Sequence, residues 1–319
     1  MAHYTTLSEK NLKIILDNFN TNNLLSFKVL DGGIENTNYL LNTENGKFVL
    51  TICEQKSAIK TKELADLLVH LENHQFNTSK IFLNKKNESV TVWEGKPVII
   101  KKFIEGKIKE DLSPELLILL GNQLGKLHKI IVPDYVPNEL NYGIENFNLV
   151  EKYAPNSSFN IWLKEIVDYL SPYLMLNLPK ALIHSDIFCD NVIVSEDENS
   201  VTIMDFEEAA YYYKIFDIGM MIIGICAEEK TVNLNKASSL LKGYEQEIKL
   251  LDEEVNALQA FTIYAGTAMT FWRHKNFNYT KPNPKYADHY LGLKVLVDYI
   301  KGLSPSYFLD TIRNNKLPY

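Results

Sequence analysis

Cysteine is scarce in this chain, and the scarcity is informative. Cys53, Cys189 and Cys226 are the only three in 319 residues, odd in number, far apart and at no metal-ligand spacing. That excludes a disulfide scaffold and fits a reducing, cytoplasmic compartment. Long apolar runs are lacking too: the longest, residues 218–227, is about ten residues, against the ~20 that a bilayer-spanning helix needs. The opening Met1-Ala2-His3-Tyr4-Thr5-Thr6 has no basic region followed by an apolar stretch, so no signal peptide is expected. No basic stretch exceeds a few residues and the net charge is −7, which argues against nucleic acid or an anionic membrane as partner. Internal repeats and low-complexity tracts are also missing. What is present is 46% apolar content, over a length sufficient for a sizeable core and two lobes.

The densest chemistry lies in Ile183-His184-Ser185-Asp186-Ile187-Phe188-Cys189-Asp190-Asn191 and its sequel Val201-Thr202-Ile203-Met204-Asp205-Phe206. The apolar runs 192–194 and 201–204 flank a polar turn, Glu196-Asp197-Glu198-Asn199-Ser200, which predicts a β-hairpin. A turn centred near Glu198 would set Asn191 opposite Asp205, and directly opposed residues lie roughly 5 Å apart. An amide oxygen and a carboxylate on adjacent strands suit Mg²⁺, which completes its shell with water and phosphate oxygens. Singly, a His-x-Asp arises by chance, an Asp after a strand is a turn residue and an Asn at a strand edge is a cap. Together, and in this order, they match a kinase-type catalytic loop and metal site. Cys189, inside the loop, reads as a spectator.

Ser8 is the expected N-cap of a helix carrying Leu12, Ile15, Leu16 and Phe19. Strands are predicted over residues 27–30, 38–41 and 47–52, with Asn45-Gly46 as a hairpin turn. Gly32 and Gly33, between the first two strands, would let backbone N–H groups approach phosphate oxygens, with Asn36, Thr37 and Asn38 as short polar groups beside them; an ordinary hairpin turn stays open. A helix over residues 60–74 presents Leu64, Leu67, Leu68 and Leu71 on one face, and strands over 90–93 and 97–101 follow. Helices are then predicted from Ser113 to His128, over 159–170, from about Phe216, and over 253–273, with a loop at 132–158. His128 reads as a structural histidine at a helix C-terminus. The result is an α+β architecture of two lobes: a small antiparallel-sheet lobe, 1–104, and a larger helical lobe, 105–319.

The motifs Gly32-Gly33-Ile34-Glu35-Asn36-Thr37-Asn38-Tyr39, Leu120-Gly121-Asn122-Gln123-Leu124-Gly125-Lys126-Leu127-His128, His184-Ser185-Asp186 with Asn191, Asp205-Phe206 and Phe216-Asp217-Ile218-Gly219 occur in one order over residues 4–220. In this they resemble the aminoglycoside phosphotransferase and choline kinase superfamily, which shares the protein-kinase-like fold. The Gly-Ile-Glu-Asn-Thr-Asn-Tyr run, Val49-Leu50-Thr51 and Asp186-Ile187-Phe188 before Asp190-Asn191-Val192 look most like the kinase-fold type of homoserine kinase. The resemblance implies ATP and Mg²⁺ as cofactors and a place in threonine biosynthesis. It implies that Asp186 orients the acceptor hydroxyl and takes its proton, that Asn191 and Asp205 hold metal, and that His184 and Asp217 support the loop. Gly32, Gly33, Asn36, Asn38 and Thr51 would face the phosphates, and the segment Lys101-Lys102-Phe103-Ile104 would hold adenine.

One departure stands out. Kinase-type proteins normally carry Lys or Arg where Thr51 stands, to pair the α- and β-phosphates. Lys56, Lys101 or the metal ions are candidates to compensate. A homoserine site must also hold an ammonium and a carboxylate. Glu207 and Glu208 are candidates for the first and Arg273 for the second, with surface salt bridges open for each. The run Tyr211-Tyr212-Tyr213 and the aromatic helix ending at Trp272 could instead cage a quaternary ammonium. The expected partner is therefore a small hydroxyl-bearing amine or amino acid, and the chain a monomer or homodimer. Choline, ethanolamine, another amino alcohol or an aminoglycoside remain alternative acceptors. A nucleotide-binding pseudokinase regulator is the alternative of another class, favoured by Thr51 alone.

Overall fold

The computed structural model describes residues 5–21, 23–30 and 36–314. Gly32 and Gly33, like Tyr4, lie outside the described residues. The chain divides into two compact units, one of Met1–Glu105 with Met204–Glu207, the other of Gly106–Ile203 with Glu208–Tyr319.

In the first unit, helix α1 (Glu9–Leu16) starts where Ser8 Oγ accepts the Asn11 N–H and Asn11 Oδ1 accepts the Ser8 N–H, a reciprocal cap. Strands β1 (Leu24–Leu30), β2 (Thr37–Thr43) and β3 (Gly46–Ile52) precede helix α2 (Ala58–Asn73), and β4 (Thr91–Trp93) and β5 (Lys96–Lys102) follow it. All pair antiparallel in the order β1-β2-β3-β5-β4. Side chains alternate along β3, so Phe48, Leu50 and Ile52 join Leu12 and Ile15 in one core. Val49 and Thr51 turn to the other face. The expected Asn45-Gly46 turn is displaced by one residue. Gly46 pairs with Thr43 at φ +118°, so the two-residue loop is Glu44-Asn45. Thr43 Oγ1 closes it early by accepting the Asn45 N–H and donating to Gly46 O. Residues 204–207 place Phe206 edge-on against Phe76, which follows α2.

The second unit begins with β6 (Lys107–Ile108) and α3 (Pro114–Leu127), then α4 (Val150–Tyr153), α5 (Ser158–Leu174), β7 (Lys180–Ile183), β8 (Val192–Val194), β9 (Val201–Ile203) and β10 (Ala210–Tyr213). It continues with α6 (Lys214–Ile225), α7 (Leu234–Tyr244), α8 (Asp252–Lys275), α9 (His289–Gly302) and α10 (Pro305–Asn314). The stretch expected as loop, 132–158, is not all loop: a 3-10 turn (Ile144–Leu149) and α4 lie within it. The Ile144 N–H donates to the buried Tyr264 hydroxyl, which ties the segment to α8. Helix α8 is apolar around most of its circumference, and its buried Thr262, Thr267 and Thr270 donate their hydroxyls to carbonyls one turn back.

Helices α3 and α7 cross in backbone contact. A Cβ on Gly121 would lie 1.9 Å from Leu240 O, and one on Gly243 would lie 1.9 Å from Ile118 O. The β8–β9 hairpin exists, one step off the expected register. Val192 pairs with Ile203, and Ser195 N–H to Ser200 O closes the turn, so ladder pairing ends before Asn191. Asn191 belongs instead to a 3-10 turn (Cys189–Asn191).

Candidate active site

Strand β7 delivers the loop 184–191 in the second unit, and nearly everything around that loop fixes its backbone. His184 and Ser185 are fully buried, and Ser185 takes φ +70°, a left-handed conformation that a non-glycine residue holds only under constraint. Asp217, on α6 and fully buried, supplies that constraint. Its Oδ2 accepts the His184 N–H and its Oδ1 the Ser185 N–H, both at 2.7 Å. His128 Nε2 lies 3.1 Å from the same carboxylate, and its Nδ1 lies 3.0 Å from the Tyr244 hydroxyl. The network is consistent with Nε2–H donating to Asp217 and Tyr244 donating to Nδ1. From the other side the Tyr142 hydroxyl donates to Ser185 O at 2.8 Å, and Ser185 Oγ donates to Glu208 O. Burial, then the Asp186 and Glu208 charges, push the Tyr142 hydroxyl well above its ordinary pKa, so it remains a donor.

Asp186 stands next to this clamp. Its N–H lies 3.2 Å from His184 Nδ1, and the Asn191 amide donates to its carbonyl at 2.8 Å and approaches its carboxylate at 3.3 Å. With Nδ2 so engaged, Oδ1 is the acceptor that the Asn191 side chain has left. Arg273, near the end of α8, is half-buried, with its guanidinium 5.3 Å from the Phe188 ring. Burial lowers its pKa while Asp186 and Asp190 pull it back up. The Arg273 side chain forms no salt bridge or hydrogen bond among the described residues. Burial, then Asp190, raise the Cys189 thiol pKa, in keeping with a spectator. The tyrosine run does not form an open cage: the Tyr212 hydroxyl bonds Glu145 and Tyr264 in the core, and Lys180 already lies over the Tyr212 and Tyr213 rings.

The remaining expected residues lie in the first unit. Thr51 is buried, and its hydroxyl donates to Asn38 Oδ1 at 2.7 Å across the β2–β3 ladder. In the segment 101–104, the Lys102 N–H is taken by Lys80 O and the Phe103 N–H by Lys47 O, which leaves the Ile104 N–H as the donor unbonded among the described residues. Asp205 is exposed at φ +70°. Glu207, two residues on, accepts from Asn36 Nδ2 at 2.6 Å and pairs with Lys56 at 3.2 Å. Burial, then the Asp205 charge, raise the Glu207 pKa, against the pull of Lys56 and Lys101. Neighbours in sequence thus divide: Glu207 belongs to this unit, and Glu208 to the unit of Arg273.

No group of three or more His, Cys, Asp or Glu side chains is poised to hold a metal among the described residues. Asn191, in the second unit, offers an amide oxygen and Asp205, in the first, a carboxylate, each a hard oxygen donor of the kind Mg²⁺ accepts. Tyr142 and Tyr244 were not among the residues expected from sequence, and Lys56 and Glu207 were expected singly, not as a pair. Tyr142 lies in an irregular segment with no periodicity to mark it, and Lys56–Glu207 joins distant parts of the chain.

Comparison with known proteins supplies a further finding. The family model described as "Phosphotransferase enzyme family" matches residues 26–247. A homoserine kinase of Zymomonas mobilis subsp. mobilis is 25% identical over 296 residues, covering 89% of this chain and 91% of that protein. A homoserine kinase of Beijerinckia indica subsp. indica is 29% identical over 271 residues, 81% of this chain and 83% of that one. Among solved structures, an amicoumacin kinase in complex with AMP-PNP, Ca²⁺ and Ami gives a TM-score of 0.72 at 18% identity, over 94% of this chain and 97% of that chain. The kinase-like fold is therefore shared. No helix among the described residues is long and apolar enough to cross a membrane.

Proposed function

The chain belongs to the phosphotransferase enzyme family, and from that membership we propose that it transfers the γ-phosphoryl group of ATP to the hydroxyl of L-homoserine, forming O-phosphohomoserine for threonine biosynthesis. The observation that carries the choice of acceptor is Arg273. A half-buried guanidinium that feels Asp186 and Asp190 but is salt-bridged to neither among the described residues can take a ligand's anion, and homoserine carries a carboxylate where choline and ethanolamine carry none. The homoserine kinases to which the chain is similar support the same choice.

In this reading Asp186 accepts a hydrogen bond from the substrate hydroxyl, aligns it and takes its proton as the oxygen–phosphorus bond forms and ADP leaves with the electron pair of the broken bond. Asp217, His128 and Tyr142 hold the loop so that Asp186 need not reorganise. Arg273 receives the α-carboxylate and Glu208 the α-ammonium. Asn191 and Asp205 would hold Mg²⁺, which neutralises charge on the phosphates.

A coupled ADP-release assay with homoserine, choline, ethanolamine, hydroxylysine and an aminoglycoside tests the reading. Homoserine should give the highest kcat/KM. A higher value with any of the others would reassign the acceptor, and no ADP release with any of them would favour a non-catalytic nucleotide-binding regulator.

A further inference from the structure

The strand position where a kinase carries its phosphate-binding cation is closed to one here. Thr51 is 1% exposed and its hydroxyl is bonded to Asn38. Glu63, the acidic candidate on α2 to orient such a cation, is bound to Lys60 at 2.7 Å. The connection from β3 to α2 offers another. Lys56 immediately precedes Ser57, the N-cap of α2, and its Nζ lies 3.2 Å from Glu207, with side chains 20% and 16% exposed. The second Glu207 oxygen accepts from Asn36, the first described residue after the glycine segment. Asn36 is itself 8% exposed, and its Oδ1 is buried with no hydrogen-bond partner among the described residues. Asn36 and Lys56 therefore meet at the one carboxylate of Glu207, in the segment 204–207.

As a structural device this is a poor one, because a largely buried ion pair gains little over the cost of desolvating it. We propose that Lys56, aimed by Glu207 rather than by a carboxylate of α2, is the cation that binds the phosphates of the nucleoside triphosphate. The proposal rests on the phosphoryl-transfer reading above. It makes Thr51 a relocation of charge and not a loss of it, and leaves Lys101 to the segment that leads out of β5.

Titration calorimetry in EDTA, with ATP and with adenosine, tests it without reference to turnover. Lys56→Met should weaken ATP at least about tenfold and adenosine less than twofold, while Lys56→Arg keeps ATP within about threefold of the unsubstituted protein. Equal ATP affinity in Lys56→Met, or selective loss of ATP in Lys101→Met instead, would overturn the proposal. So would loss of both ligands in Lys56→Met, which would make Lys56 structural. Absence of ATP binding by the unsubstituted protein is a different failure and removes the phosphoryl-transfer reading itself.

Discussion

Replacing Arg273 by Gln separates recognition of the carboxylate from recognition of the amine. Two unit charges 4 Å apart in an effective dielectric of about 20 attract by about 4 kcal/mol. Part of that is cancelled when the ligand carboxylate leaves water, and hydrogen bonds to charged groups retain about 1.5–3 kcal/mol net. The cost of desolvating the guanidinium is already incurred in the free protein, since burial holds the Arg273 pKa below its ordinary value. At about 1.4 kcal/mol per decade, R273Q should lower kcat/KM for homoserine about ten- to 150-fold. The assay is ADP release with homoserine and, in parallel, with 3-amino-1-propanol, which is homoserine without its carboxylate. The second substrate should lose less than about threefold. Thermal stability should change by no more than a few degrees, because Arg273 feels Asp186 and Asp190 but is salt-bridged to neither among the described residues. An equal loss on both substrates would refute the reasoning and make Arg273 a support for the loop, acting on Asp186 and Asp190. No loss on either would place the carboxylate elsewhere.

Asp186→Asn should lower kcat by about 10²–10⁴-fold while ATP affinity measured in EDTA stays within about threefold, and a near-normal kcat would sink the role assigned to Asp186. Asp217→Asn turns one acceptor of the His184 and Ser185 N–H groups into an opposing donor, so unfolding in urea should show a loss of roughly 2–4 kcal/mol. A loss under about 0.5 kcal/mol would mean that the loop is held by other groups. Burial alone would raise the Glu54 pKa, but hydrogen bonds from Lys96, Thr37 and Thr5 outweigh it and bring the carboxyl down to about 2 from 4.5. The folded pKa lies below the unfolded one, so the contribution is present above pH ~4.5, is lost as pH falls toward 2, and amounts to at most about 3 kcal/mol. The stability gap between the unsubstituted protein and Glu54→Gln should therefore shrink between pH 6 and pH 3, and a gap independent of pH would disprove the linkage.

What could be read from sequence was local. The Ser8 cap, the leucine face of α2 and the apolar runs on either side of the 195–200 turn depend on neighbours within a few residues, and they stand where expected. The register of that hairpin did not, because it is decided by whether Ser195 or a neighbour closes the turn, a matter of single hydrogen bonds. The order of the motifs points to the family whose model matches residues 26–247, and Asp217 was expected beneath the loop, whereas Tyr142 and Tyr244 were not. Asn36 and Glu207 are 171 positions apart, and no periodicity records their contact. Glu207 and Glu208 are indistinguishable as an acidic pair in sequence, yet the chain divides between them. His128 was expected to be structural through a helix terminus, whereas its role is to bond the carboxylate beneath the loop.

The crossing of α3 and α7 bears on how mutations far from the chemistry would be scored. Gly121 and Gly243 lie on α3 and α7 and not in the loop 184–191, yet they set the separation of α3 from α7. A methyl group at either would have to move a carbonyl by more than an ångström. The same two helices carry His128 and Tyr244, whose bond at 3.0 Å cannot stretch that far and survive. A genetic screen for inactive variants should therefore recover alanine at these glycines and class it with the catalytic lesions. A second-site suppressor would be sought among the side chains that let α7 slide back, not around Asp186.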